Sequence, residues 1–123
     1  MDKLVIASGN AGKIAEIKAI LKDLPLDVVS MKESGFNMEF DEIGTTFSEN
    51  ALIKANTLSK HVNGLVLADD SGLEIDFLNG APGIFTSRFA GENASQQEKN
   101  NKIINLLRGI DRKSRTCRFV CSI

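Results

Sequence analysis

At 123 residues and 13.4 kDa the chain is one domain's worth of polypeptide, and 42% apolar residues can fill a real core, which argues against intrinsic disorder. Fifteen Lys and Arg against sixteen Asp and Glu leave a net charge of -1, so no overall field steers the protein onto a nucleic acid polymer or an anionic membrane, and any phosphate chemistry has to be local. The longest apolar runs are about five residues against the about 20 that a membrane helix needs, and Met1, Asp2 and Lys3 open no signal peptide, so a cytoplasmic protein is expected.

No internal repeat or linker interrupts the chain, and residues 1–123 read as a single domain. Residues 3–7 (KLVIA) form an apolar, β-branched run, the pattern of a strand buried on both faces. Ile14, Ile17, Ile20 and Leu21 then recur at helical spacing, and Pro25 closes the helix. Residues 26–31 supply the next strand, which makes a βαβ start. Residues 32–45 hold Glu33, Glu39, Asp41 and Glu42 without periodicity and read as an acidic loop or an edge hairpin. Thr46 and Glu49 have capping-box spacing, and Phe47, Ala51, Leu52, Ala55, Leu58 and Val62 follow as the apolar stripe of a helix.

Residues 65–68 (LVLA) read as a buried strand that delivers Asp69, Asp70, Ser71 and Gly72 at its end. The alternation of Leu73, Ile75 and Phe77 predicts a further strand turning at Asn79 and Gly80. Ser95 and Glu98 repeat the capping box ahead of a helix that runs through Leu107 to Gly109. Cys117, Phe119 and Cys121 alternate in a final strand, with the two cysteines too far apart to bridge and expected in the core. The order predicts an α/β fold with a mixed, twisted sheet and flanking helices.

Three clusters at element junctions could carry chemistry. Ser8, Gly9, Asn10, Ala11, Gly12 and Lys13 link a strand to a helix, where backbone N–H groups and the helix dipole favour a phosphate. The spacing fits neither the Walker A motif nor the dinucleotide fingerprint, and a plain tight turn is the alternative. Asn50 and Lys54, four apart, point an amide and a cation in one direction, and the alternative is a solvated helix face. Asp69 and Asp70 are adjacent acids where a buried strand ends, the place where open α/β sheets bind ligands, and paired carboxylates call for a cation such as Mg²⁺. A turn with exposed Asp is the alternative there. His61, the single histidine, falls near a helix end and reads as a surface residue, and the cysteines have no zinc-ligand spacing.

In order, SGNAGK (8–13), TFSENALIKA (46–55), ADDSGLEID (68–76) and GAPGIFTSRFAG (80–91) closely resemble the inosine/xanthosine triphosphate pyrophosphatase family. The resemblance runs from the first strand to residue 123. It implies a homodimeric α/β enzyme that hydrolyses deaminated purine nucleoside triphosphates (ITP, dITP, XTP) between the α and β phosphates with Mg²⁺, releasing a monophosphate and pyrophosphate. Carried onto this chain, it makes Ser8, Gly9, Asn10 and Lys13 phosphate-loop residues and Lys54 a second triphosphate contact. Glu42 becomes a metal ligand, with Asp41 its competitor. Asp70 becomes the general base and a metal-site residue, with Asp69 beside it, Ser71 near the nucleotide, and Arg88 a further substrate contact. Family members continue for roughly 70 further residues, with FGYDP-like and SHR-like motifs that grip the purine. Residues 1–123 are therefore expected to be part of a longer enzyme, and the alternative function is a nucleotide-binding fragment without hydrolysis.

Overall fold

A computed structural model describes residues 1–123. The chain forms two compact units, Met1–Asp70 with Ile123, and Ser71–Ser122.

The first unit is built on a three-stranded sheet in the order β2-β1-β3, made of β1 (Asp2–Ile6), β2 (Leu26–Ser30) and β3 (Leu65–Leu67). Both pairings are parallel, with Val5 opposite Val29 on one side and Val66 on the other. As the central strand β1 is covered on both faces, and Leu4, Val5 and Ile6 are all buried, as the unbroken apolar run predicts. Two helices supply the connections that parallel strands need. Helix α1 (Ala11–Leu21) joins β1 to β2, and α2 (Phe47–Ser59) precedes β3. Leu58 of α2, fully buried, clusters with Val5, Ala7, Met31 and Ala68, and Phe36, Met38 and Phe40 of the acidic segment pack against that cluster.

The helix starts follow from local chemistry. Asn10 caps α1 by accepting from the Lys13 N–H at 3.1 Å. Thr46 caps α2 through the Glu49 N–H at 3.1 Å. The Glu49 carboxylate takes chiefly the Thr45 N–H at 2.6 Å and the Thr45 hydroxyl at 3.0 Å. These bonds hold the Glu49 carboxyl below the usual glutamate range. Residues 32–46 contain no strand, so the loop reading of the acidic segment stands and the hairpin does not.

The second unit holds β4 (Asp70–Ile75, whose first residue belongs to the first unit) paired with β5 (Cys117–Ser122), together with α3 (Gln96–Leu106). Asp76, just past β4, donates its N–H to the carbonyl of Thr116, just before β5, so the two strands run antiparallel. With the parallel first sheet this gives the mixed strand sense and flanking helices expected. The capping box of Ser95 and Glu98 is complete in both directions. Strand β4 stops two residues before Phe77, which lies in a 3-10 turn (Asp76–Leu78) closed by Asn79 in the left-handed conformation. The side chain of Asp76, bonded to the Thr116 hydroxyl and the Arg118 guanidinium, ends the alternation there.

Three burial expectations are corrected. Cys117 and Cys121 are free and exposed, not core residues, because the partly covered face of β5 is the one bearing Val120 and Ser122. On α1 the apolar stripe is only half-covered and Ile20 is 73% exposed. On α2, Leu52 lies on the open side. No helix is long and apolar enough to cross a membrane.

Candidate active site

Strand order assembles the site. Because β1 and β3 are parallel neighbours, their C-terminal ends lie side by side, locked by the Ala7 N–H to the Leu67 carbonyl at 2.8 Å. The segment 8–13 leaves one strand there, and Asp69 and Asp70 leave the other. Ser8 Oγ accepts from the Asn10 N–H at 3.1 Å, and Asn10 caps the helix, so the loop that precedes α1 is pinned twice by its own side chains. A Cβ on Gly9 would meet nothing within 4 Å, so the space in front of this turn is open. The first N–H groups of α1 have no intrahelical partner, as in every helix start, and that of Lys13 is taken by the Asn10 side chain.

Lys13, on the first turn of α1, reaches Asp69: Nζ to Oδ2 is 2.9 Å, with the carboxylate almost wholly buried. Lys54 carries the second cation. Its Nζ lies 3.2 Å from Glu42 Oε1 and 3.9 Å from Asp70 Oδ1, and its side chain is 10% exposed. The solvated-face reading of α2 is therefore overturned, since Asn50 and Lys54 are both buried beside Phe47, Ala51 and Leu58. Burying an ammonium is costly unless carboxylates accompany it, and here two do.

Asp70 has a perturbed carboxyl. Burial pushes its carboxyl above the ordinary aspartate range, against the opposing pull of Lys54; Glu42 raises it further, and the Asn50 side chain and Lys13 favour the carboxylate. Its Oδ2 is buried without a hydrogen-bond partner. A carboxylate with a raised pKa and an oxygen left over fits a proton acceptor or a ligand to a cation.

The residues singled out in the sequence thus separate into two ion-paired sets: Lys13 with Asp69, and Lys54 with Glu42 and Asp70. Asp41, the competitor of Glu42, is exposed and makes no ion pair. No group of three or more His, Cys, Asp or Glu side chains converges as a ready-made metal cage. A Mg²⁺ site does not require one, because this ion is held by one or two carboxylates together with substrate phosphates and water. Glu42 and Asp70, hard oxygen donors flanking one ammonium, with one oxygen unpartnered, fit that pattern. Ser71 is half-buried on β4, and Arg88 is exposed with its guanidinium 5.5 Å from the Phe85 ring centroid. His61 is exposed beyond the end of α2, as expected.

The family model for the Ham1 family matches residues 4–123. The chain belongs to the Ham1 family. A dITP/XTP pyrophosphatase of Vibrio vulnificus is 49% identical to it over 122 residues, and one of Bacillus subtilis 46% identical over 123. A solved HAM1 protein of Coxiella burnetii superimposes with a TM-score of 0.86 at 41% identity, over 98% of this chain and 61% of that one. The alignments take in 98% and 100% of this chain against 60% and 62% of the Vibrio and Bacillus proteins, so it spans about three-fifths of the length of the relatives it matches.

Sequence reasoning named every ion-paired residue of the site but assigned no role to Asn50 or Gly44. The signal for Asn50 was its place one helical turn before Lys54, since residues four apart share a face.

Proposed function

We propose that this chain carries the triphosphate-cleaving centre of a Mg²⁺-dependent nucleoside triphosphate pyrophosphatase acting on ITP, dITP and XTP, working as a cytoplasmic homodimer. The observation that carries the reading is the buried Lys54 ammonium between Glu42 and Asp70, with one Asp70 oxygen unpartnered. The relatives are dITP/XTP pyrophosphatases, which supports the substrate class.

In this reading the pinned turn 8–13 and Lys13 receive the phosphate tail, and Lys54 offsets charge that builds on the phosphoryl oxygens. Glu42 and Asp70 would hold Mg²⁺, which supplies Lewis-acid stabilisation of that charge when bound. Asp70, its pKa raised by burial, orients a water and accepts its proton as the water oxygen bonds to the α phosphorus. The bond from that phosphorus to the bridging oxygen breaks, and pyrophosphate leaves with the electron pair. Asp69 holds Lys13 in place, and Ser71 and Arg88 are further substrate contacts.

Pyrophosphate release from ITP, dITP, XTP and ATP, measured with and without Mg²⁺, tests this. Monophosphate and pyrophosphate in equal amounts are expected. Nucleoside diphosphate with orthophosphate would sink the reading, and bound triphosphate without turnover would leave the binding-only alternative.

A further inference from the structure

Asn50 is buried to 1% exposure at the close of the first turn of α2, and burial is costly for an amide unless its polar atoms are used. Its Oδ1 accepts the backbone N–H of Gly44 at 2.8 Å. Gly44 lies two residues after Glu42, and Lys54, four residues after Asn50 and on the same helix face, holds the Glu42 carboxylate at 3.2 Å. One helix thus grips the acidic segment at two points, by the backbone through Asn50 and by the carboxylate through Lys54. The fit at Gly44 is close: a Cβ there would stand 2.7 Å from Asn50 Oδ1 and 2.7 Å from Glu49 Cβ. Only glycine lets the segment come near enough for this hydrogen bond.

We propose that Asn50 is a positioning residue, a latch that fixes the Gly44 backbone so that Glu42 is held at the cation site beside Lys54 and Asp70. The latch rests on the reading of Glu42 as a metal ligand. Asn50 reaches Glu42 through the Gly44 backbone, and its side chain also hydrogen-bonds the Asp70 carboxylate, so it positions the acids rather than touching substrate. Thr45, whose N–H and hydroxyl both go to Glu49, secures the neighbouring residue but lies one step further from Glu42. Outer partners that orient a ligand change metal affinity by about 10–100-fold when removed.

The test measures Mn²⁺ binding to the full chain by electron paramagnetic resonance, together with hydrogen exchange at the Gly44 amide. Asn50→Ala should speed Gly44 exchange and weaken Mn²⁺ binding about 10-fold, while Asn56→Ala, on the exposed side of α2, changes neither. Because Asn50 also bonds Asp70, the clean comparison is Gly44→Ala: if the latch acts through Glu42, Gly44→Ala adds little to the loss already caused by Glu42→Ala, because the two effects share one ligand. Gly44→Ala attacks the latch from its other side with Asn50 intact, and serves if Asn50→Ala does not fold; it should show the same pair of effects. Native Mn²⁺ affinity in both Asn50→Ala and Gly44→Ala, or a Gly44→Ala loss that simply adds to that of Glu42→Ala, would overturn the latch while leaving Glu42 as a ligand. Unchanged affinity in Glu42→Ala itself would overturn the metal assignment, and the latch as a functional device with it.

Discussion

Lys13 and Asp69 stand 56 residues apart in sequence and 2.9 Å apart in space, so the first turn of α1 is bonded to a residue two positions past β3. The pair exists because the ends of β1 and β3 are neighbours. It keeps an ammonium close to the turn at 8–13 while it is two-thirds shielded from water.

A triphosphate entering that turn adds acceptors for the Lys13 ammonium. Lys13→Met should therefore weaken binding of ITP about 10-fold or more, since hydrogen bonds to charged groups contribute about 1.5–3 kcal/mol. Asp69→Asn keeps the ammonium but loosens its placement, and should have the smaller effect. Titration calorimetry with ITP reads both, and equal affinities across wild type and Lys13→Met would remove Lys13 from the site.

Asp70→Asn should lower turnover by about 10²–10⁴-fold, the usual range for loss of a general base. The same change should raise the melting temperature of the metal-free chain. Burial raises the folded-state pKa of Asp70 above its unfolded value, so at this residue the folded state binds the proton more tightly. Its contribution to stability is full below the unfolded value of about 3.9 and is lost as pH rises through the raised folded value. At pH 7 the ionised group therefore opposes folding, and the neutral isostere does not. A lower melting temperature for Asp70→Asn at pH 7 would contradict this account.

Glu33 has the opposite sign. Hydrogen bonding to Lys18, with further bonds to Ser30, lowers its carboxyl to about 2. The tie it makes between α1 and the turn after β2 is intact above the ordinary glutamate value of about 4.3 and fades as pH falls toward about 2. Urea midpoints of wild type and Glu33→Gln should differ at pH 6 and draw together as pH approaches 2. A constant difference across that window would show that ionisation of Glu33 plays no part.

Burial predicts a contrast along α2. Leu58→Ala empties a fully buried position and should cost about 2–5 kcal/mol, whereas Leu52→Ala, at a position 60% exposed, should stay within about 0.5 kcal/mol. Urea denaturation of the two variants checks it.

Much of this structure was legible in the sequence because local signals agreed with one another. Thr46, Ser95 and Asn79 marked element ends through short-range hydrogen bonding and backbone conformation, and the run Leu4, Val5, Ile6 announced a doubly covered strand. What was hidden depended on which face a neighbour covers. The alternation through Cys117, Phe119 and Cys121 located β5, yet periodicity cannot say which side is packed, and these three residues are on the open one. The candidate site shows the same division. Asp69, Asp70, Lys13 and Lys54 were visible as charges at element junctions, but Lys54 and Asn50 resembled surface residues until the acidic segment was found lying against them.

The order of the first sheet also sets when the site can come into being. Pairing β1 with β2 closes a short local loop through α1, but pairing β1 with β3 brings Leu4 to Leu65 across about sixty residues, so its closure entropy is the larger. Non-local parallel pairing of this kind forms slowly. Asp69 and Asp70 lie beyond β3 and Lys13 beyond β1, so a chain with only its first βαβ unit in place has the turn at 8–13 but not the acids beside it. The chemistry of the site is thus withheld until the third strand docks, and a triphosphate that bridges both strand ends would act as a clasp on that final closure.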